Sequence, residues 1–295
     1  MADYIISCCS TADLSKEYLN ERDIKYVCFH YQLGDEEYTD DMYTSMAEKD
    51  FYEAMKAGVM TKTSQVNADE FESYFRAFLE DGKDIIHLSL SSGISGSCNS
   101  AMIAKNALEE EYPDRKIYVV DSLAASSGFG LLMAALADMR DNGSSLEEVY
   151  EFVEANKLKL HHWFFSSDLT FFIRGGRVTK TEGFVGNLLS ICPLLNVDYL
   201  GRLIPRFKIR TKKKVIAASV EQMIKHAEGG TDYNKDCFIS HSYCMEDAIA
   251  VKELVEEKFP NLKGRVKIFP IGTTIGSHTG PGTVALFFWG DERVD

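Results

Sequence analysis

Short apolar runs alternate with helical patterns through the first half of the chain. The clearest helix follows Asn67 and Glu70, which have the spacing of a capping box, and its aromatic residues repeat at helical spacing until Asp81-Gly82. Ser145 precedes another helix of the same type. Further helices are predicted near 12–20 and 49–57, and strands at YIISCC, IKYVCFHYQL, DIIHLSL and KIYVVDS. This alternation predicts an α/β fold with a mainly parallel, doubly wound sheet.

The pattern changes near residue 159. The strand PLLNVD, the turn YLGR and the strand LIPRFKIR predict a hairpin. After it we expect a helix around 212–227, the strand CFISHS, a helix around 245–258, and the strands RVKIF and TVALFFW. The sequence therefore predicts two domains: an N-terminal α/β domain over residues 1–158 and a smaller C-terminal α/β domain over residues 159–295.

Charge and cysteine content exclude several classes of function. The 295 residues carry a net charge of −13, so we expect no nucleic-acid partner. No stretch approaches the roughly 18 apolar residues of a membrane span, and MADYIISCCS lacks the basic start of a secretory leader. The seven cysteines form no C-x-x-C pair, which predicts reduced thiols. A cytoplasmic protein is the expectation.

The most distinctive polar stretch is SSGISGSCNSA, residues 91–101, directly after DIIHLSL. Gly93 and Gly96 allow close approach of the backbone, while Ser92 and Ser95 offer hydroxyls, so the stretch predicts an anion site for a carboxylate or phosphate. Phosphate is less supported, because the lysine of the P-loop motif is missing. Two alternatives are a turn that only caps the next helix and a hydrolase nucleophile at Ser95, although Gly96 lies one position early for G-x-S-x-G.

Two further segments carry side chains that are able to bind a ligand. In TKTSQVN, Thr63 and Ser64 are short hydroxyls ahead of a helix, where capping is the simpler interpretation. In IGTTIGSHTGPG, His278 lies among glycines that let the backbone bring the imidazole close to a ligand. A structural histidine is equally compatible with that pattern. Together with Ser95, His278 is also the candidate base of a lipid-directed serine hydrolase.

Two basic segments, RGGR and KIRTKKK, stand out on an acidic chain. We expect their side chains to be solvated and the glycines of RGGR to end a helix that begins near Asp168. Arg174, Arg177 and Arg210 are the candidate contacts for a phosphoryl group or an acidic partner. Asp121, at the end of KIYVVDS, is expected to cap a helix.

Taken together, these segments resemble the DegV family of bacterial fatty-acid-binding proteins. The resemblance covers nearly the whole chain in order: TSQ at 63–65, SSGISGS at 91–97, VVDS at 119–122, RGGR at 174–177, the hairpin ending in KIRTKKK, and IGSHTGPG at 275–282. It implies two α/β domains, the second one smaller, that enclose one long-chain fatty acid between them.

The resemblance also implies roles for individual residues. Thr63 and Ser95 would hold the fatty acid carboxylate, and His278 would belong to the same polar network. The supporting loop residues would be Ser64, Gln65, Ser92, Gly93 and Gly96. Aromatic residues and the ten methionines are available to line the acyl tunnel. The resemblance implies no catalytic residue, no metal and no cofactor besides the bound fatty acid.

A family member of this kind is a carrier rather than an enzyme. A separate ATP-dependent fatty acid kinase subunit would phosphorylate the bound carboxylate, with the three arginines as candidate contacts, and transient membrane contact would serve lipid exchange. A fatty-acid-responsive regulatory module would use the same pocket. Val66 and Cys192 depart from the proline and lysine common in the family, which bears on partner recognition.

Overall fold

Three β-sheets organise the chain in the computed structural model, which describes residues 4–178 and 191–294. Its strands are β1 (Tyr4–Cys9), β2 (Lys25–Val27), β3 (His30–Leu33), β4 (Glu36–Thr39), β5 (Thr61–Ser64), β6 (Asp84–Ser89), β7 (Ile117–Asp121), β8 (Leu160–Ser166), β9 (Ile191–Val197), β10 (Leu203–Arg210), β11 (Phe238–His241), β12 (Lys267–Pro270) and β13 (Thr283–Trp289). Its α-helices are α1 (Lys16–Glu21), α2 (Glu48–Lys56), α3 (Ala68–Glu80), α4 (Ser97–Glu111), α5 (Ser126–Asp141), α6 (Leu146–Asn156), α7 (Thr170–Arg174), α8 (Lys212–His226), α9 (Met245–Lys258) and α10 (Thr273–Thr279).

The first sheet confirms the predicted parallel α/β architecture. It has four parallel strands in the order β2-β1-β6-β7. Both predicted capping boxes are present: Asn67 and Glu70 begin α3, and Ser145 and Glu148 begin α6. The helix predicted near 12–20 begins only at α1, because Ser15 caps it there.

A second, small sheet was not predicted. IKYVCFHYQL is not one strand but two, because β2 joins the parallel sheet while β3 pairs with β4 and β5 in an antiparallel sheet. The pattern missed β4 and β5 because they are short and polar. Thr63 and Ser64 therefore lie at the end of strand β5, opposite Tyr31 and His30 of β3, and not on a loop.

The third sheet has six strands in the order β10-β9-β8-β13-β11-β12. All neighbours are antiparallel except β11 and β12. The predicted hairpin is β9 and β10, and Asp198 holds its turn by accepting hydrogen bonds from the amides of Leu200 (3.0 Å) and Arg202 (2.8 Å). Helices α8 and α9 confirm the two helices predicted for this half.

Helix α5 packs between the first and third sheets, against β1 on one side and β8, β11 and β13 on the other. Nearly all of its apolar residues are buried, so it lacks the one-sided pattern of a surface helix. Gly128 of α5 allows close contact with the third sheet, because a Cβ there would lie 2.4 Å from His162 Nε2. Within the described residues, no helix has the length and apolar character needed to cross a bilayer.

Arg293 connects the first and third sheets through hydrogen bonds. Its side chain is buried, with only 4% of its surface exposed, and burial lowers its pKa to about 10. The guanidinium donates hydrogen bonds to five backbone carbonyls, those of Leu123, Lys157, Leu158, Val197 and Asp198. Leu123 follows β7 of the first sheet and Val197 ends β9 of the third, so one side chain connects both.

His87 on β6 makes the stability of the fold dependent on pH. It is fully buried against Phe71 and Phe75, and burial lowers its pKa to about 3. The histidine of the unfolded chain binds a proton near pH 6.5. Between about pH 6.5 and pH 3 the unfolded state is therefore protonated at this residue while the native state is not. We expect the free energy of unfolding to fall by up to about 1.4 kcal/mol per pH unit from this group as pH drops from about 6.5 to about 3.

Urea unfolding from neutral pH to about pH 4 measures this slope. The slope should be smaller in His87→Gln, which does not titrate. Burial also lowers the pKa of His161, His162 and His278, so part of the slope should remain. An identical slope in wild type and His87→Gln would contradict the assignment.

Candidate ligand-binding site

A cavity of about 370 Å³ lies between the carboxyl ends of the parallel strands and one face of the six-stranded sheet. This volume is typical of small-molecule pockets. The sheet forms one wall through His162 and Phe164 of β8 and through Thr283, Ala285 and Phe287 of β13. Alternate side chains of a strand share a face, and the register places Phe164 opposite Ala285 and His162 opposite Phe287.

Most of the surface that the lining presents to the cavity is apolar. It includes Phe29, Leu90, Ile94, Phe172, Val197, Leu203, Ile271 and Ile275. Aromatic side chains do line the cavity, as the composition allowed, whereas no methionine of the described residues does. The cavity can therefore surround an extended hydrocarbon with apolar side chains.

Four polar residues of the lining form a group that we call the polar cluster: Thr63, Ser95, Arg177 and His278. His278 Nε2 lies 2.7 Å from Thr63 Oγ1, although 215 positions separate the two residues in sequence. Arg177 lies 3.4 Å from His278 Nδ1 and donates to the carbonyl of Ile94, next to Ser95. The structure thus brings the three sequence-predicted ligand residues, Thr63, Ser95 and His278, to one cavity.

The contacts of His278 fix where its proton lies. A guanidinium only donates, so Nδ1 of His278 accepts from Arg177 and the ring proton sits on Nε2. Nε2 then donates to Thr63 Oγ1, which leaves the hydroxyl hydrogen of Thr63 for another acceptor. Burial and the nearby Arg177 charge lower the pKa of His278 to about 4, so the imidazole is neutral at pH 7.

Ser95 lies at the start of α4, a helix of fifteen residues whose N-terminus carries a partial positive charge. The N-cap of α4 is Gly96, which has no side chain to cap the helix, but Ser95 Oγ accepts a hydrogen bond from Ser97 N at 3.2 Å. The hydroxyl hydrogen of Ser95 stays available. Asp121 does not cap a helix as expected. Its Oδ1 instead accepts from the amides of Ser92 and Leu123, both at 3.1 Å, and so fixes the serine-rich loop to the end of β7.

The two glycines of this loop allow direct packing against neighbouring segments. A Cβ on Gly93 would lie 2.6 Å from the carbonyl oxygen of Leu200, in the turn between β9 and β10. A Cβ on Gly96 would lie 2.8 Å from Oε1 of Gln65. Gln65 and Ser64 both line the cavity beside Thr63. The loop after β6 and the end of β5 are therefore held against each other.

The three candidate arginines occupy different environments. Arg174 and Arg210 are exposed, whereas Arg177 is half-buried in the cavity wall, where burial lowers its pKa. Helix α7 ends at Arg174, which confirms the helix end predicted at RGGR. Gly175 has a further role, since a Cβ there would lie 2.3 Å from His278 Nδ1 and displace the ring.

Two residues that position the site were not found from the sequence. Asp13 Oδ1 accepts from Gly272 N at 3.0 Å, and Asp40 Oδ1 accepts from Thr273 N at 3.2 Å. These contacts hold the first turn of α10, whose last turn carries His278. Both carboxyls are fully buried, which raises their pKa values. No pattern in the sequence marks an aspartate that will be buried.

Known proteins match this chain over almost its full length. A family model described as an uncharacterised protein, DegV family, matches residues 6–291. A DegV domain-containing protein of Clostridium perfringens is 39% identical over 293 residues, which is 99% of each chain. A protein of Thermotoga maritima named fatty acid-binding protein is 31% identical over 282 residues, which is 94% of each chain.

A solved structure of a related protein has the same fold. The Streptococcus pneumoniae fatty acid kinase (Fak) B3 protein, loaded with linoleic acid, is similar with a TM-score of 0.81 and 27% identity, over 99% of this chain and 100% of that chain. The likeness confirms the predicted α/β fold. On the family model, the sequence identities and the shared fold, the chain belongs to the DegV family.

Proposed function

We propose that this protein binds one long-chain fatty acid in the cavity, with the carboxylate at the polar cluster. The observation that carries the proposal is the pair of hydroxyls, from Thr63 and Ser95, whose hydrogens stay available in a mostly apolar cavity. An elongated apolar ligand with one anionic end has the chemistry that this lining complements. The names of the Thermotoga and Streptococcus relatives support a fatty acid as that ligand.

The polar cluster offsets the cost of burying the carboxylate. An ionised carboxylate without partners is strongly disfavoured in an apolar cavity. Thr63 and Ser95 each supply a hydrogen-bond donor, and the guanidinium of Arg177 adds a positive charge beyond His278. His278 acts through Thr63: it donates to the threonine oxygen and so directs the threonine hydrogen towards the ligand.

The hydrocarbon tail supplies most of the affinity. Burial contributes about 0.8 kcal/mol per methylene, so a long acyl chain gains on the order of 10 kcal/mol before the entropic cost of association. The aromatic and aliphatic side chains of the lining provide the surface for that burial. The head group then fixes the direction in which the acid enters.

A serine hydrolase at the same site has less support. Both ring nitrogens of His278 are engaged, one by Thr63 and the other by Arg177. Ser95 Oγ accepts from Ser97 N, and in the described part of the chain no hydrogen bond joins Ser95 to His278. The site therefore lacks the nucleophile-base contact that activates a serine.

The test is native mass spectrometry of the protein purified from cells, with identification of the lipid released on denaturation. We expect one fatty acid per chain and no turnover of acyl esters. A protein that is isolated empty and does not take up added long-chain fatty acids would refute the carrier. Ester hydrolysis that is lost in Ser95→Ala would instead establish the hydrolase.

We propose further that the protein presents the bound carboxylate to an ATP-dependent fatty acid kinase subunit, which forms the acyl phosphate. The description of the pneumococcal relative as a fatty acid kinase protein supports this step. Arg174 and Arg210 are exposed and basic, as a contact with the kinase or with the phosphoryl group requires. Arg177 lies in the polar cluster, so its replacement should also impair fatty acid binding.

Charge reversal at Arg174 tests the kinase contact. We expect Arg174→Glu to slow acyl phosphate formation several-fold at saturating fatty acid and to leave fatty acid affinity unchanged, because Arg174 is exposed and does not line the cavity. The assay couples the carrier to the kinase subunit and ATP. Arg265→Glu is the matched control on an exposed arginine. Equal rates for the Arg174→Glu carrier and wild type would rule out this contact.

Three further features belong to the proposal. The division into domains 1–158 and 159–295 is supported by the third sheet, which begins with β8 at Leu160. A cytoplasmic location rests on the cysteine pattern of the sequence.

Lipid exchange at a membrane is supported by Met60, which is half exposed and lies 3.4 Å from Arg174. A role as a fatty-acid-responsive regulator would use the same cavity, and binding to a protein other than the kinase would reveal it.

A further inference from the structure

Three residues from separate elements meet on the face of the six-stranded sheet opposite the cavity. His162 points into the cavity, so its neighbour His161 on β8 points to the other face. His226 ends α8, which packs on that face, and Asp291 follows β13. The rings of His161 and His226 are stacked, with centroids 4.9 Å apart.

The donor atoms of these residues lie close together. One ligand atom from each lies within 4.8 Å of the other two. Asp291 Oδ1 is 2.9 Å from His161 Nε2 and 3.1 Å from His226 Nδ1. Ligands around a tetrahedral zinc ion, at zinc distances of about 2.0–2.2 Å, are about 3.3 Å apart. To reach that geometry, the two stacked imidazoles rotate about their side-chain torsions until their in-plane lone pairs point at one ion.

Backbone contacts hold His226 and Asp291 beside each other. Asp291 N donates to the carbonyl of His226 at 3.0 Å, and Glu228 N donates to the carbonyl of Trp289 at 3.1 Å. Gly290 makes this approach possible, because a Cβ there would lie 2.2 Å from the carbonyl oxygen of His226. These contacts fix the backbone positions from which the side chains of His226 and Asp291 extend.

The chemistry of the donors selects among metal ions. Two imidazoles and one carboxylate suit Zn²⁺ and disfavour Mg²⁺ and Ca²⁺, which prefer all-oxygen sites. His226 and Asp291 also line a cleft of about 920 Å³, and 62% of the Asp291 side chain is exposed. An ion can reach His226 and Asp291 from this cleft, with His161 Nε2 2.9 Å behind the Asp291 carboxylate, and keep its fourth position for water.

We propose that His161, His226 and Asp291 form a zinc site that joins the end of α8 to β8 and to the segment after β13. His161 Nε2 now contacts the backbone carbonyl of Asp291 at 2.9 Å, and zinc would replace that contact. The site is separated from the fatty acid cavity by the thickness of one sheet, so its role is structural. It is independent of the proposed lipid binding.

Zinc titration of the chelator-treated protein tests the site, by calorimetry and by competition with a chromophoric chelator. We expect one Zn²⁺ per chain, no saturable binding of Mg²⁺, and a thermal unfolding midpoint that rises with zinc. His226→Gln and Asp291→Asn should each weaken zinc binding by at least about tenfold and reduce the thermal shift. Both side chains are partly exposed, so both variants should fold.

His30→Gln is the matched control. His30 pairs with Glu70 at 2.7 Å in a two-residue contact elsewhere on the protein, so zinc affinity should not change. The proposal is overturned if the wild type shows no saturable zinc binding. It is also overturned if both His226→Gln and Asp291→Asn bind zinc with wild-type affinity, the result expected if cysteine thiols were the ligands.

Discussion

Replacing Thr63 with valine should weaken binding of a long-chain fatty acid by roughly 10- to 100-fold without unfolding the protein. Valine has nearly the same shape as threonine and lacks the hydroxyl. The carboxylate loses one donor, and Nε2 of His278 loses its acceptor. A hydrogen bond to a charged group contributes about 1.5–3 kcal/mol, which sets the size of the effect. Displacement of a fluorescent fatty acid gives the dissociation constant.

The control lies on the same strand. Thr61 is also half-buried on β5, but its hydroxyl donates to the carbonyl of Ser277 and does not line the cavity. Thr61→Val should therefore keep wild-type affinity. Ser95→Ala should lose affinity as Thr63→Val does, and the double variant should lose more. If Thr63→Val bound as tightly as wild type, the carboxylate would have to lie elsewhere in the cavity.

Replacing Arg293 with methionine should lower the free energy of unfolding by about 3 to 5 kcal/mol. Methionine keeps much of the apolar stem, so the loss reports mainly on the hydrogen bonds. Five carbonyls lose their shared donor in a place that is almost closed to water. The cost of leaving buried carbonyls unpaired explains the large size of the effect.

Urea unfolding followed by circular dichroism measures this change. Arg265→Met is the control, because Arg265 is exposed and its guanidinium contacts one carbonyl, that of Asn261. Its effect should stay within about 0.5 kcal/mol. A change of similar size in the two variants would show that Arg293 does not connect the sheets in the way its contacts indicate.

Local rules explain which parts of the fold were predictable. The capping boxes at Asn67 and Ser145 need only neighbouring residues, so both helices begin where the sequence places them. Helix α5 was not predicted because it is buried on nearly all sides and so lacks an alternation of apolar and polar faces. Strand β5 was not predicted because TKTS has no apolar residue. The pairing of β3 with β4 and β5 depends on tertiary contacts that no short window contains.

In the site, too, some residues could be predicted from the sequence and others could not. The hydroxyls of Thr63 and Ser95 are visible as short polar motifs, and the structure places both on one cavity. Their role as carboxylate ligands stays a prediction. The burial of Arg177, and of Asp13 and Asp40 beneath α10, depends on which elements pack together. A single sequence contains no direct sign of that packing.

The cavity wall formed by β8 and β13 limits which sequence changes can alter the shape of the cavity during evolution. Both strands lie inside the six-stranded sheet and are hydrogen-bonded on both edges, so their backbones cannot shift without breaking the ladder. Only side chains such as Ala285 and Phe164 set the depth of the wall. Under the proposed function, single replacements at these positions would alter acyl preference after gene duplication and leave the segments that carry Thr63 and Ser95 unchanged. One ancestral scaffold would then give rise to proteins with different acyl preferences.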